Sequence, residues 1–198
     1  MKKLKFSHIT KTGGTSIEKI AKNNNINWGI YDKYLKNNLI HWHYPLSKLP
    51  KKFTKRFDWF IVCRNPYDRL ISEYHCQWGG NTKQLKNVFY NKQSKIIFNK
   101  FIRSSIINRK KNRYYGHYLE QNLYYIKNIN IIRFENLKED FENLMKKYNL
   151  NLKLNIHKYK SNKIFSVKDF DKETIELINK VYHKDFELFN YEKINFDT

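Results

Sequence analysis

The sequence predicts an α/β fold in which helices cover the faces of a parallel β-sheet. Two observations support this: short apolar segments alternate with longer amphipathic ones, and the few glycines and prolines punctuate them. Such alternation is typical of parallel sheets, because each parallel pair of strands needs a crossover connection. A length of 198 residues suffices for one compact domain with a substantial core. We therefore expect a single domain over residues 1–198.

The individual elements follow from apolar runs and from helix-start signals. The predicted strands are the apolar segments 4–9, 57–62 and 130–134. The predicted helices span about 15–22, 66–78, 117–126, 136–148 and 171–186.

The second and last of these helices carry the clearest signals. Asn65 fits an N-cap, Pro66 the first helical position and Asp68 the first turn. In the last helix, apolar residues at helical spacing predict core rather than a binding surface: Ile175, Ile178, Val181, Tyr182 and Phe186.

The composition indicates a basic, ordered protein. Lys and Arg total 39 against 18 Asp and Glu, a formal net charge of +21, while 17% aromatic residues argue against disorder. Such an excess attracts polyanions, including nucleic acids, anionic membranes and sulfated or phosphorylated substrates. Because the basic residues are spread along the chain, they favour a solvated basic surface with local anion sites over one dedicated polyanion groove.

Cysteine use and hydropathy indicate a compartment. Cys63 lies inside an apolar run and is predicted to be a small buried side chain, and Cys76 is the only other cysteine. Two cysteines do not suggest a disulfide scaffold. No stretch approaches the roughly 18 apolar residues of a membrane span, and the first residues lack the apolar core of a signal peptide. We expect a soluble, cytoplasmic protein without a transmembrane segment.

The first candidate binding site is a glycine turn between a predicted strand and helix. Glycines let the backbone approach an anion closely, and the free N–H groups of a helix start point at it. Lysine adds a positive charge, and threonine and serine add hydroxyl donors. Together these features predict a phosphate site rather than an ordinary turn, formed by Lys11, Thr12, Gly13, Gly14, Thr15 and Ser16.

The order of residues separates this turn from the P-loop of ATPases. That pattern, G-x-x-x-x-G-K-[ST], places lysine after the glycines and uses a hydroxyl to hold Mg²⁺. Here Lys11 precedes the glycines. A lysine in that position can reach a bridging oxygen without a metal.

A second candidate anion site follows the predicted strand 57–62. Arg64 stands at the end of that strand, and Ser72 lies two turns into the next helix. A guanidinium offers a fork of donors, to which a hydroxyl adds one more. On these residues alone, a surface ion pair for Arg64 and an ordinary helical position for Ser72 stay open. Because ligands bind beyond the carboxyl ends of parallel strands, both candidate sites are expected at that edge of the sheet.

Both segments resemble sulfotransferases that use PAPS (3′-phosphoadenosine 5′-phosphosulfate). Segment 11–16 is similar to their 5′-phosphosulfate loop, commonly PKTGGTS, with Thr10 where the family usually has proline. Segment 62–74 resembles their 3′-phosphate motif, often VRNPxDRLxSxY. The likeness is greatest to the carbohydrate branch, which includes the heparan sulfate 2-O-sulfotransferases.

The resemblance implies a fold, a donor and contact residues. The fold would be the P-loop-like, three-layer α/β/α sulfotransferase fold with a central parallel sheet. PAPS would be the donor and PAP the nucleotide product. Arg64 and Ser72, by position, would contact the 3′-phosphate of the donor.

A candidate base lies between the two anion motifs, in the segment Ile-His-Trp-His-Tyr-Pro-Leu at 40–46. An acceptor hydroxyl must lose its proton as it attacks sulfur, and neutral histidine can accept that proton near neutral pH. The resemblance strengthens this hypothesis, because 2-O-sulfotransferases carry a His-x-His pair here. It implies His43 as the base, with His41 supporting; two structural histidines are the alternative.

The remaining resemblance is less specific. Segment 116–121 is similar to a family segment near the acceptor or the donor, and 132–137 matches the strand-to-helix sequence RFENL, where Glu135 and Asn136 are expected to cap the helix. Segment 157–162 resembles a basic segment that can close over the nucleotide, which implies Lys160 and Ser161 as donor contacts.

The sequence predicts a metal-free reaction and a hydroxyl-bearing acceptor. No Cys/His spacing is typical of zinc, and no paired acidic cluster suggests Mg²⁺ or Ca²⁺. The resemblance and the basic surface favour a glycan acceptor, including one that is already anionic, with other hydroxyl-bearing substrates open.

Two other functions compete with sulfuryl transfer. A kinase-like phosphotransferase would share the phosphate loop but need Mg²⁺ and an acidic ligand that we cannot assign. A polyanion- or RNA-binding module would explain the charge but leave the two spaced motifs unexplained, so no specific nucleic-acid partner is expected.

Overall fold

A parallel β-sheet organises one part of the molecule. The computed structural model describes residues 2–78, 89–111, 116–154 and 163–196. Within these ranges the strands β1 (Leu4–Phe6), β2 (Asp58–Cys63) and β3 (Asn130–Arg133) lie in the order β1-β2-β3, all parallel. Phe6 pairs with Phe60 and Val62 with Ile132. The predicted α/β class with a parallel sheet is therefore confirmed.

Helices connect and follow these strands. In chain order they are α1 (Gly14–Asn23), α2 (Lys33–Asn37), α3 (Lys51–Thr54), α4 (Pro66–Tyr74), α5 (Lys92–Ile107), α6 (Leu137–Lys147), α7 (Lys172–Val181) and α8 (His183–Leu188). No helix within the described ranges has the length and apolar character needed to cross a bilayer.

The chain divides into two compact units. The first comprises Met1–Arg64 and Leu123–Tyr159, and the second Asn65–Asn122 and Lys160–Thr198. All three strands belong to the first unit. A single domain over residues 1–198 stays a prediction.

The first unit buries an apolar core along its sheet. Phe6 and Phe60 are in ring contact at 4.8 Å, and Trp28 meets Phe60 edge to face at 5.0 Å. Helix α1 turns its inner face toward this core because Ile17 and Ala21 recur at helical spacing. Helix α6 contributes Phe141, which is fully buried.

The second unit is helical. Buried side chains of α5, such as Phe98 and Ile102, share one cluster with residues of α7 and α8. The predicted apolar stripe lies in this cluster: Ile175, Ile178, Tyr182 and Phe186 are buried and Val181 packs against them. Its assignment to the core is confirmed.

Two predicted helices were wrong in whole or in part, and one long helix was not predicted. Residues 117–126 form only a 3₁₀ turn at Gln121–Tyr124, because Gly116 and Tyr118 have φ values of 91° and 63° that an α-helix cannot contain. The predicted helix 171–186 breaks at Tyr182, where α7 gives way to α8. Helix α5 was not predicted, although it is 16 residues long.

Two local predictions are confirmed. The Asn65 side chain accepts a hydrogen bond from the backbone N–H of Tyr67 at 2.9 Å, and Pro66 opens α4, which ends at Tyr74 rather than residue 78. Cys63 is fully buried, and neither it nor Cys76 forms a disulfide.

Candidate active site

The glycine turn lies between β1 and α1, as the sequence predicts. It spans residues 10–13, with Lys11 and Gly13 at φ values of 60° and 83°. Gly13 is the N-cap of α1, and its carbonyl accepts from Ser16 N–H at 3.1 Å. The first N–H groups of a helix have no partner within the helix and carry partial positive charge, so the turn is suited to hold an anion.

Both glycines are required by what packs against them. A Cβ on Gly13 would lie 2.9 Å from Leu137 Cδ2, and the positive φ already disfavours any other residue. A Cβ on Gly14 would lie 2.2 Å from the His8 ring. The absence of a Cβ at both glycines therefore lets the backbone pack closely against Leu137 on one side and against the His8 imidazole on the other.

The hydroxyls of the loop have different surroundings. The Thr12 hydroxyl donates to Ile9 O at 2.8 Å and the residue is fully buried, so this hydroxyl stabilises the turn. Thr15 is exposed and Ser16 half-buried, so both hydroxyls reach the surface of α1. Thr10, which replaces the customary proline, is buried.

Arg64 follows β2 and reaches back to the glycine turn. Its Nη1 donates to the carbonyl oxygen of Lys11 at 3.1 Å. Its guanidinium also lies over the ring of Phe134, 4.1 Å from the centroid. The predicted approach of Arg64 to the loop, at the carboxyl ends of neighbouring strands, therefore holds for the first unit.

The segment after β3 supports the loop, a role that sequence reasoning missed. The Phe134 ring packs against the Arg64 guanidinium. The side chains of Phe134 and Leu137 both lie beside Gly13. The predicted cap at 135–136 is wrong for Asn136: it is the N-cap of α6, but its side chain makes no capping hydrogen bond. The available signal was Phe134 and Leu137, two apolar side chains three positions apart in the RFENL segment.

His43 is anchored to His8, which lies between β1 and the glycine turn. Its Nδ1 lies 3.0 Å from the carbonyl oxygen of His8, and its own carbonyl accepts from the Tyr124 hydroxyl at 2.6 Å. A carbonyl oxygen can only accept, so Nδ1 carries the proton and Nε2 of the neutral ring carries a lone pair. The ring is 8% exposed.

His41 has the opposite arrangement of ring nitrogens. Its Nδ1 accepts the backbone N–H of His43 at 3.2 Å. The neutral ring therefore carries its proton on Nε2 and presents a donor there. The ring centroids of His41 and His43 are 5.2 Å apart, so the two rings lie close together with different hydrogen-bonding patterns.

A buried pair, His8 and Glu18, links His43 to helix α1, and sequence reasoning missed it. His8 Nδ1 lies 2.9 Å from Glu18 Oε1, which also accepts Ile30 N–H at 2.9 Å. The His8 ring meets the His43 ring edge-on at 4.3 Å. A charged residue on the inner face of α1, between Ile17 and Ala21, was the signal in the sequence.

Ser72 lies in the second unit, in α4, and is buried. Its predicted pairing with Arg64 on one phosphate stays a prediction. Lys160 and Ser161 lie outside the described residues.

Arg69 forms a structural network in the second unit. It is fully buried, lies 3.7 Å from Glu73 and donates to the carbonyl of Leu119. Glu73 in turn contacts His117 Nδ1 at 2.5 Å. Ligand atoms of Glu73, Cys76 and His117 lie within 4.8 Å of one another, a grouping that the sequence spacing did not reveal.

The segment 116–121 is likewise held by internal contacts of the second unit. Arg109 bonds Glu120 at 2.7 Å; burial opposes ionisation of Glu120, yet this partner leaves its pKa below the usual value. Asp185 accepts the backbone N–H groups of Gln121 and Asn122. Burial raises the pKa of Asp185 despite these bonds.

Comparison with known proteins identifies the family. The model of the sulfotransferase family matches residues 1–192. Searches among curated proteins and among solved structures gave no match. The parallel sheet with its helices, together with the family match, confirms the predicted three-layer α/β/α sulfotransferase fold. The chain belongs to the sulfotransferase family and is a transferase of sulfuryl groups.

Proposed function

We propose that this sulfotransferase moves a sulfuryl group from PAPS to an acceptor hydroxyl on a carbohydrate, with His43 as the base. One observation carries the proposal: His43 Nδ1 is hydrogen-bonded to His8 O, and His8 lies between β1 and the glycine turn. This bond supports a role for His43 beside the loop that would hold the phosphosulfate, in which Nε2 would be the atom that accepts the proton.

The donor would be held at both ends of the nucleotide. The loop from Lys11 to Ser16 would take the 5′-phosphosulfate, since it offers helix-start N–H groups, a lysine and no Cβ at the glycines. Arg64 and Ser72 would take the 3′-phosphate. A guanidinium offers five N–H donors, so the bond from Arg64 to Lys11 is compatible with phosphate binding. Lys160 and Ser161 are proposed as further donor contacts.

The transfer itself needs one proton acceptor and a sink for negative charge. The acceptor oxygen forms a bond to sulfur as its proton passes to His43 Nε2. The bond between sulfur and the 5′-phosphate oxygen breaks, and PAP leaves with the negative charge. Lys11 and the loop N–H groups stabilise that charge, and losing one such donor typically costs about 10²–10³ in rate.

His41 would assist without acting as the base. Its Nδ1 is engaged with the backbone of His43, so its Nε2 is a donor in the neutral ring. A donor 5.2 Å from the base, centroid to centroid, is suited to orient the acceptor hydroxyl.

A carbohydrate acceptor is supported by two features. The His-x-His pair is similar to that of the 2-O-sulfotransferases, and the net charge of +21 favours acceptors that are already anionic.

We further propose that transfer needs no metal. Lys11 and Arg64 supply positive charge at the loop, and the Glu73 carboxylate already contacts His117 and faces Arg69. Transfer rates should be unchanged by EDTA. Zinc bound at one equivalent and lost in Cys76→Ser would contradict this part of the proposal.

The donor assignment is tested by thermal unfolding with PAP, with ATP and Mg²⁺, and with a short oligonucleotide. PAP should raise the melting temperature saturably, because a ligand that binds only the folded state stabilises it. The shift with PAP should exceed those with ATP and Mg²⁺ and with the oligonucleotide, because PAP is the proposed product of the donor. Lys11→Ala should weaken this shift, while Lys19→Ala, exposed on α1, should not. A larger shift with ATP and Mg²⁺ would favour a kinase-like enzyme, and a salt-sensitive shift with the oligonucleotide alone a nucleic-acid binder.

Catalysis is then tested by a glycan screen with labelled PAPS. Lys11→Ala and His43→Ala should nearly abolish transfer with the fold intact. Near-normal turnover in both variants would reject the assigned roles.

A further inference from the structure

A small apolar cavity lies beside the histidine pair in the first unit. Its volume is about 290 Å³, and apolar groups of Ile30, Leu35, Leu39 and Trp42 line it. A cavity of this size is at the lower limit of ligand pockets, so it fits one ring or a short alkyl chain rather than a whole substrate.

The cavity adjoins the proposed base through ring contacts. Trp42 stacks on His41 with centroids 4.0 Å apart, and the His43 centroid lies 5.4 Å from that of Trp42. His41 and Lys36 also line the cavity, together with Gly29 and Ile40. A group held in the cavity would therefore sit one ring away from the base.

Leu39, on the rim, occupies an unusual position. It is 95% exposed and has a φ of 54°, a left-handed conformation that is unfavourable for leucine. Helix α2 ends there in a Schellman motif: Leu39 N–H bonds Lys36 O at 3.1 Å and Ile40 N–H bonds Leu35 O at 2.8 Å.

Three other helices in the described parts of the chain end in the same motif, with the same two hydrogen bonds, and each uses asparagine at the left-handed position. These residues are Asn25 after α1, Asn149 after α6 and Asn190 after α8. Asparagine tolerates this conformation better than leucine does. Leucine is thus the exception, and it stands where an exposed apolar side chain can meet a ligand beside the histidines.

We propose that this cavity binds an alkyl or aryl group that the acceptor carries next to its reactive hydroxyl. The inference rests on the proposed function and narrows its acceptor: a glycoside with an apolar aglycone rather than a free sugar. Leu39 and Trp42 would contact the aglycone, and Lys36 at the rim would suit an anionic neighbour on the sugar.

The test compares octyl and methyl glycosides of the same sugar, for glucose, galactose and N-acetylglucosamine. Transfer from labelled PAPS should give a kcat/KM at least about tenfold higher for the octyl compound, since burial of two methylenes suffices for that factor. Binding of octyl glucoside below its micelle concentration to PAP-saturated protein is measured in parallel by calorimetry.

The decisive variant is Leu39→Asn, which installs the residue used at the other three helix ends. Its melting temperature should equal or exceed that of the wild type. The ratio of kcat/KM for the octyl glycoside to that for the methyl glycoside should fall close to one. Ile107→Asn, which changes an exposed apolar residue at the end of α5, should retain the preference.

Two results would overturn the inference: no saturable octyl glucoside binding by the wild type, or an undiminished octyl preference in a folded Leu39→Asn. Failure of the proposed function looks different, because PAP would then give no thermal shift. If PAP raises the melting temperature but kcat/KM is the same for octyl and methyl glycosides, only the proposed role of the cavity is rejected.

Discussion

Arg64 donates a hydrogen bond from Nη1 to the carbonyl oxygen of Lys11, across 53 residues of sequence, at 3.1 Å. The bond joins the residue after β2 to the turn after β1, while the guanidinium lies over Phe134, the residue after β3. The carboxyl ends of all three strands thus contribute to one side of the candidate site. This arrangement fits the general position of ligands in parallel sheets.

Replacing Arg64 with lysine should weaken PAP binding by about tenfold or more. An ammonium keeps the charge but loses the planar fork and the stacking on Phe134. PAP affinity is measured by calorimetry, with Arg56→Lys as the exposed control in the same unit. Unchanged affinity in Arg64→Lys would remove Arg64 from the donor site.

Gly14→Ala should destabilise the protein by about 1–3 kcal/mol, because the new methyl would overlap the His8 ring. The same substitution made in a His8→Ala protein should cost much less, a coupling that a double-mutant cycle of urea unfolding measures. Gly13→Ala is the comparison: its cost comes from a φ of 83° and should persist without His8. Equal costs of Gly14→Ala in both backgrounds would show that His8 does not set the turn.

His43→Asn should reduce transfer by about 10²–10⁴-fold, while His41→Asn should cost less than about tenfold. Asparagine at 43 can still donate to His8 O but has no base, and asparagine at 41 can still accept His43 N–H. Transfer of label from PAPS to the best acceptor of the glycan screen gives the rates, and PAP affinity serves as the control for folding. The reverse order of losses would assign the base to His41.

Stability should fall in acid partly through Asp169. Burial opposes its ionisation, but hydrogen bonds from Tyr90 and Ser166 and the Lys95 ammonium lower its pKa from 3.8 to about 2. Because the folded-state pKa is depressed, the carboxylate stabilises the fold above about pH 4, and this contribution is lost as the pH falls through about 2.

Asp169→Asn should therefore cost about 2 kcal/mol at neutral pH, and the cost should shrink as the pH approaches about 3. Urea unfolding across this range measures it, with Glu176→Gln as the control at an exposed carboxylate of the second unit. A cost independent of pH would mean that packing, rather than the charge, explains the loss.

The sequence alone determined the strand–turn–helix units and the family. Local signals sufficed there: Gly13-Gly14 after an apolar strand, and Asn65-Pro66 before a helix, specify their turns through backbone preferences. The exceptions were also local in appearance. Residues 117–126 have helical composition, but Gly116 and Tyr118 adopt left-handed conformations inside the second unit, where Asp185 takes the N–H groups of the following turn.

The tertiary structure decided which hydrogen-bond partners the two histidines have. His41 and His43 are nearly equivalent in the sequence, because a tautomer depends on the partner of each ring nitrogen rather than on neighbours in the chain. The partner of His43 Nδ1 is His8 O, 35 residues earlier. The ring of His8 also fills the space that a Cβ on residue 14 would need, so this position requires glycine. Such contacts exist only once β1, α1 and the segment after α2 are packed together. The sequence therefore supplied both histidines and, through the family resemblance, the prediction that His43 is the base, but not the partners of their ring nitrogens.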